Sequence, residues 1–380
     1  MQFDLKEYKE RIGRLCAEMR TRKLDAVILD DSEATAYFLG YDTSLSFYRA
    51  AVVMESGEAF FVLRTLDTGP MSERSWVKDI VGHADWEDPI AALADKLRQV
   101  GLSEKRIGID LSSHALTVKT FQRMVAALPG VEFCDLENLP WTLRLIKSDA
   151  EVVKIRRACE IGDSIIREIV KLTGPDMTER HLAGIAADVS LQMGGDPGHP
   201  GIFGMRRGGD LNGLHGHLHD DCFEGNEVLH LEINPRFDGY GARMMRTLTL
   251  GEPPGDVRRA VSTMIELQDA QLAAMKPGTL ASDIDRIARD GALEAGLRSD
   301  YHNVTGYTMG YYPDYMVRAS DFTRVFLPTS DWELRPGMVF HMYMAAAGVG
   351  LSETVLVTSA GVERLTKLDR KLFTLSLIHI

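Results

Sequence analysis

The chain is poor in several things, and each absence closes off a class of function. It has only four cysteines, Cys16, Cys134, Cys159 and Cys222, far apart and with no C-x-x-C pair. That excludes a disulfide framework or a cysteine zinc site, and is read as reduced thiols in a cytoplasmic protein. No apolar run reaches the ~20 residues a membrane span needs, so no membrane partner is expected. The opening stretch MQFDLKEYKERIGRL lacks an apolar segment and a cleavage pattern and is not read as a signal peptide. There is no basic excess: the net charge is −12, which leaves no face for neutralising phosphates, so nucleic acid is not an expected partner. Short-period repeats and low-complexity tracts are also missing.

What is present is ordinary for a soluble globular protein, with 45% hydrophobic and 26% charged residues over 380 positions, a length that suits two domains. Tyr8, Ile12, Leu15 and Met19 fall at helical spacing in the first ~24 residues. The runs AVIL (26–29), AAVVM (50–54), AFFVL (59–63) and RIGID (106–110) read as strands, with a helix over 88–100. Strands alternating with helices predict an α/β layer structure. A boundary falls near Trp141–Ser148, dividing the chain into domains 1–145 and 146–380. Ser148 and Glu151 have the spacing of a reciprocal helix cap, and the helix they start runs to about Thr173, before Gly174-Pro175. Further helices are predicted over 178–193 and 255–275, and strands over 227–234, 245–250, 338–344 and 353–358. The glycine-rich stretch 194–213 reads as a connection, and the tail TLSLIHI as fold-neutral and atypical.

Four stretches of the second half carry candidate chemistry. His215, His217 and His219 alternate in LHGHLHDD. Imidazoles are common metal ligands, but no local carboxylate or cysteine completes a set, and an acid–base role for one of them is the preferred reading. Glu232 interrupts an apolar strand, where a carboxylate is costly unless paired or functional. A buried pair with Arg243 or Arg246 and a functional role are equally open. His341 interrupts the apolar run 338–344, as a satisfied core group or as a site residue, and Glu353 enters another strand on the same terms. Two buried acids and two histidines on separate strands could form a general acid–base site, since burial raises a carboxyl pKa toward neutrality.

Longer motifs add a resemblance. AYFLGYD (36–42), SFYRAAVV (46–53), LRLIKSDAEVVKIRRACEI (143–161), GYGARMMRTLTLG (239–251), RPGMVFHM (335–342) and ETVLVTSAGVERLT (353–366) occur in the order found in the pita-bread family. That family includes prolidase, methionine aminopeptidase, creatinase and ectoine hydrolase. The resemblance implies an α/β (α+β) chain, with an N-terminal creatinase-type domain followed by a pita-bread catalytic domain. The family's peptidases hold two metal ions with two Asp, one His and two Glu. The matching positions here are Glu232, Arg243, Tyr307, Tyr343 and Ser352. A fixed cation and weak ligands stand where a metal would sit, so no metal and no cofactor are expected.

The resemblance is closest to creatinase and ectoine hydrolase, which work without these metals. It implies His215 as the proton-transfer group, and Arg49 and Arg318 as grips for a substrate carboxylate, Arg49 reaching the neighbouring active site of a homodimer. Glu232 would act as nucleophile or base, Glu353 and His341 would balance charge and orient nitrogens, and Tyr307 and Tyr343 would line the substrate. The creatinase glutamate positions look like Met245 and Ser352, which disfavours creatine. The expected activity is metal-independent hydrolysis of an amidine or amide C–N bond in a small carboxylate, like ectoine hydrolase. The alternatives are a creatinase-type amidinohydrolase, a metal-dependent Xaa-Pro peptidase or lyase, and a non-catalytic binding module.

Overall fold

A computed structural model describes residues 2–41, 47–197, 202–207, 218–225, 227–312 and 319–375. The described residues form two compact units, one up to Arg144 and one from Leu145 onward. No helix among them is long and apolar enough to cross a membrane.

The first unit is a six-stranded sheet. Its strands are β1 (Ala26–Leu29), β2 (Ala50–Met54), β3 (Ala59–Arg64), β4 (Asp79–His83), β5 (Arg106–Ile109) and β6 (Glu132–Asp135), in the order β4-β3-β2-β1-β5-β6. β1 runs parallel to β5 and antiparallel to β2. The strands read as unbroken apolar runs because both faces are covered. Val27, Leu29, Val53 and Phe61 meet Ile12, Leu15 and Met19 of the helix Leu5–Arg22 on one face. Ala26, Ile28, Val52 and Phe60 meet Ile90, Leu93 and Leu97 of the helix Pro89–Gln99 on the other.

The second unit opens on the helix Asp149–Leu172, with the reciprocal cap in place: Ser148 Oγ accepts from Glu151 N at 3.3 Å, and Glu151 Oε2 from Ser148 N at 2.9 Å. Its strands are β7 (Ile202–Arg207), β8 (Val228–Ile233), β9 (Arg236–Phe237), β10 (Tyr240–Gly241), β11 (Met244–Leu250), β12 (Gly306–Thr308), β13 (Val325–Phe326), β14 (Val339–Ala346), β15 (Val349–Thr358), β16 (Gly361–Arg364) and β17 (Phe373–Leu375). The central sheet follows the order β13-β12-β14-β15-β11-β8-β7, with β16 and β17 attached to β15 and β11. The stretch 194–213, read from sequence as a connection, contributes β7. This strand pairs antiparallel with β8 through a register shift between Ile202 and Gly204, so pairing overrides its glycine content.

Alternation along the strands divides this sheet into two chemically different faces. Leu229, Leu231, Ile233, Met244, Leu248 and Leu250 pack on Ile161, Ile165 and Ile169 of the first helix. On the same side, Met344 and Leu351 meet the helix Gly255–Ala274, and Phe340, Met342, Val355 and Val357 meet Ile284 of the helix Ala281–Glu294. The residues between them, Glu232, Met245, His341, Tyr343, Ser352 and Thr354, point to the other face.

Candidate active site

Sheet register brings the unusual residues of the second unit together. Met245 lies opposite Glu232 on one side and Ser352 on the other. Ser352 lies opposite Tyr343, and Thr354 opposite His341, which in turn lies opposite Tyr307. Arg243 precedes β11 and is fixed by Thr354, whose hydroxyl accepts from the Arg243 amide at 2.9 Å and donates to its carbonyl at 2.8 Å. A side chain thus stands in for ladder bonds where the strand has not yet begun.

Charge concentrates at one point of this face. Arg243 Nη1 lies 3.2 Å from Glu232 Oε1, with both side chains buried, and the same nitrogen donates to the Tyr307 hydroxyl. Burial works against the Arg243 charge, but the Tyr307 oxygen and the Glu232 carboxylate outweigh it and push its pKa up. Burial pushes the Tyr307 phenol well above its usual range, so it is neutral near pH 7. Tyr343 is raised for the same reason, partly offset by a hydrogen bond with Asn303. The aromatic rings form a wall beside the pair. His341 stacks on Tyr343 at 5.2 Å between centroids and 11° between planes, and Tyr307 meets His341 edge-on at 5.0 Å. The Ser352 hydroxyl, wholly buried in this layer, has no hydrogen-bond partner among the described residues.

This donor set does not fit a pair of divalent cations. A divalent ion about 4 Å from a guanidinium is opposed by roughly 8 kcal/mol at an effective dielectric near 20. The Glu232 carboxylate already faces that guanidinium, and neutral Tyr and Ser oxygens do not replace His and Glu as ligands. Among the described residues no group of three or more His, Cys, Asp or Glu is placed to hold a metal.

Glu232, His341, Tyr307 and Tyr343 therefore share one face. Glu353 does not. It lies opposite Met342 on the helix-covered side, with its carboxylate 2.8 Å from Arg246 Nη2 and in contact with the Thr366 hydroxyl. Its expected place in the acid–base site is corrected by strand parity: Ser352 and Thr354 point to the site, so the residue between them cannot. Of the two pairings the sequence left open for Glu232, the one with Arg243 forms, and Arg246 pairs with Glu353 instead.

Arg49 lies in the first unit, where its buried guanidinium donates to Ser32 Oγ at 2.8 Å. His215, His217 and Arg318 lie outside the described residues. His219 is half-exposed, and its Nδ1 is 3.0 Å from the buried Glu179.

Two contributors were missed as site residues. Arg243 was read as a possible partner for Glu232 and as a fixed cation at a metal-ligand position, but not as a site residue. His230 escaped, although it sits two residues before Glu232 and so shares its face. It is fully buried beneath Gly350, where a Cβ would fall 2.5 Å from its Cε1. The parity of β8 was the signal for His230.

Comparison with known proteins agrees with this architecture. The metallopeptidase family M24 matches residues 153–359, and the creatinase/prolidase N-terminal domain matches residues 11–146. Ectoine hydrolase from Halomonas elongata is 27% identical over 406 aligned positions, which cover 98% of each chain. An uncharacterized hydrolase/peptidase from Sinorhizobium fredii is 27% identical over 398 positions, again 98% of each. Among solved structures, a prolidase from Thermococcus sibiricus superposes with a TM-score of 0.83 at 19% identity, covering 97% of this chain and 99% of that one. A dipeptidase from Mycobacterium ulcerans gives 0.81 at 22%, covering 98% and 99%. At such identities the structures establish the fold alone. Because the family match spans more than half of its length, this chain belongs to metallopeptidase family M24, with a creatinase/prolidase N-terminal domain preceding a pita-bread domain.

Proposed function

We propose that this protein hydrolyses a carbon–nitrogen bond in a small carboxylate-bearing compound, and does so without the paired metal ions of its peptidase relatives. The observation that carries this reading is the Arg243 guanidinium against Glu232 and Tyr307. It supplies positive charge from the protein itself, at the place where the resemblance puts metal ligands. The likeness to ectoine hydrolase supports a cyclic or linear amidine as the reacting group.

In this reading Glu232 faces the amidine or amide carbon and either attacks it, forming a covalent intermediate that water then hydrolyses to free the carboxylate, or removes a proton from the attacking water. The C–N bond then breaks as a proton passes to the leaving nitrogen, the role assigned to His215. His341 and Tyr343 hold the plane of the reacting group by stacking. Fixed charges and dipoles aimed at the carbon replace the metal's polarising effect, the kind of term that is usually largest in catalysis. Arg318 grips the substrate carboxylate. Arg49 from a second copy is the other proposed grip, and for that its guanidinium must leave Ser32.

The test is a screen of ectoine, hydroxyectoine, creatine and related small amidines, read by mass spectrometry as a gain of one water for a cyclic compound and as two fragments summing to substrate plus water for a linear one. Turnover should persist in excess chelator, and Glu232→Gln and His215→Ala should each lower kcat by about 100-fold or more while the protein stays folded. Full turnover by both variants rules out the assignment, and loss of activity on chelation, restored by added metal, rules out the metal-free reading.

A further inference from the structure

The sheet of the first unit ends on an open edge. β4 pairs with β3 alone, and among the described residues no further backbone group bonds to its outer side. Free N–H and C=O groups on such an edge can template another strand, so edges are ordinarily blunted by charge, proline or a covering segment. Beside β4 there is a groove of about 660 Å³ instead. One wall is Val81, Gly82 and His83, and the other is a stripe of the helix Pro89–Gln99 that includes Ala91, Ala92 and Asp95. The two small side chains leave room for a backbone to lie against the helix. Large apolar groups stand exposed around the strand: Trp86 at 89%, in the turn that follows it, and Leu66 at 71%, in the turn Thr65–Asp67 that packs on Gly82.

The polar groups of this groove are acceptors. His83 is buried, and its Nδ1 lies 3.2 Å from the Ala84 carbonyl. A carbonyl only accepts, so in the neutral ring Nδ1 carries the proton, and Nε2 presents a lone pair with no partner among the described residues. The same Ala84 donates its N–H to Glu87 Oε2 at 2.7 Å and accepts from Glu87 N at 3.0 Å. One turn thus holds an unmatched lone pair and a carboxylate. Lys96 is held by Asp79 at 2.8 Å, Asp88 by Arg123 at 2.5 Å and Asp95 by Arg98 at 2.7 Å. Glu87 has no cationic partner among the described residues.

We infer that this edge docks an extended segment of another protein, one that alternates basic and apolar side chains and joins the sheet as a seventh strand. Its backbone lies about 4.8 Å from β4, where ladder hydrogen bonds give affinity and alternate side chains give specificity. One row of side chains faces the helix Pro89–Gln99. Asp79, Val81 and His83 share that side of β4: Asp79 meets Lys96 of the helix, and Val81 packs in the cluster of Ile90 and Leu93. An arginine in this row donates to the Glu87 carboxylate and to His83 Nε2, the two acceptors left without a cation or donor. The other row faces the turn Thr65–Asp67, where an apolar side chain covers Leu66. A second copy of this chain is a poorer occupant. Twofold pairing of β4 with itself brings two acidic helix stripes together, each bearing Asp88 and Asp95, a like-charge juxtaposition that opposes association. The site belongs wholly to the first unit and stands whether or not the hydrolytic reading holds.

The probe is a capped, fluorescently labelled heptapeptide that alternates valine and arginine, titrated with the full chain and read by anisotropy. One control carries glutamate in place of arginine. A second keeps the arginines but has alternate backbone nitrogens methylated, which removes ladder donors and leaves the charge. The arginine peptide should bind at least about tenfold more tightly than either control. Hydrogen exchange over residues 79–83 should slow when it binds. Ala91→Arg puts a cation into the groove from an exposed helical position, and Glu87→Gln removes the unpaired charge while keeping an acceptor for the Ala84 amide. Each variant should weaken the arginine peptide by about tenfold with thermal unfolding unchanged. No binding, or unchanged affinity in both variants, overturns the inference. Equal binding of the methylated peptide overturns it too, since that marks adhesion to a chain of net charge −12. So does slow exchange at 79–83 in the chain alone that quickens on dilution, because a second copy then fills the edge.

Discussion

Removing Glu353 separates architecture from chemistry in this fold. Glu353 and Arg246 are completely buried, 2.8 Å apart, in the layer between sheet and helices. Burial pushes the Glu353 pKa up and the Arg246 pKa down, and their mutual attraction holds both shifts back. In Glu353→Ala the guanidinium keeps its carbonyl acceptors but loses its counter-charge, at a cost of about 3–5 kcal/mol. Loss of the Thr366 hydrogen bond adds roughly 1 kcal/mol. Glu353→Gln keeps the shape and one acceptor, and should lose only about half as much. The double variant Arg246→Met/Glu353→Leu removes both charges and should recover most of the stability. Urea unfolding followed by far-ultraviolet circular dichroism measures all three. Turnover per folded molecule, on the compound that the screen identifies, should stay within about threefold in Glu353→Gln, since the carboxylate lies across the sheet from Glu232. The reasoning is refuted if Glu353→Ala unfolds at the wild-type urea concentration. It is equally refuted if Glu353→Gln is as stable as wild type yet loses turnover by orders of magnitude.

Three other perturbations test separate parts of the molecule. Gly350→Ala places a Cβ 2.5 Å from His230 Cε1 and 2.8 Å from its Nδ1; urea unfolding should show a loss of about 1–3 kcal/mol, largely recovered when His230→Ala makes room. Asp30, buried at the end of β1, is pushed up to about 6 by burial, with the Asp31 charge adding and the Ser113 hydrogen bond opposing. Its folded value lies above the ordinary 3.8, so its contribution to stability is present below that pH and is lost as pH rises through about 6. Asp30→Asn should therefore gain on wild type between about pH 4 and pH 7, by up to roughly 3 kcal/mol, as read from unfolding free energies across pH. Ser148→Ala removes one half of the helix cap and should cost about 1 kcal/mol in the same assay.

Local pattern carried much of the fold into view before any coordinates. The periodic stripe Tyr8, Ile12, Leu15, Met19 is buried along one helix, and the Ser148–Glu151 spacing forms the cap it implies. Both depend on residues within a few positions of one another, so tertiary packing had little to overrule. Short apolar strands such as AVIL were legible because hydrophobic content alone marks a strand covered on both faces. The helix Ser32–Leu39 and the helix Val118–Ala127 were not anticipated, since the first is short and buried all round and the second buries only Met124, so neither carries a long stripe.

The site divides along the same line. Sequence by itself determined the residue types: a glutamate and a histidine inside apolar strands, and an arginine and tyrosines at positions where the family resemblance puts metal ligands. Tertiary structure alone decided which of them meet. Strand parity and cross-strand register turned Glu232, Tyr307, His341 and Tyr343 to one face and Glu353 to the other, and chose Arg243 over Arg246 as the partner of Glu232. A one-residue shift in pairing would exchange those faces, and register is set by contacts between segments far apart in the chain, which no local pattern encodes.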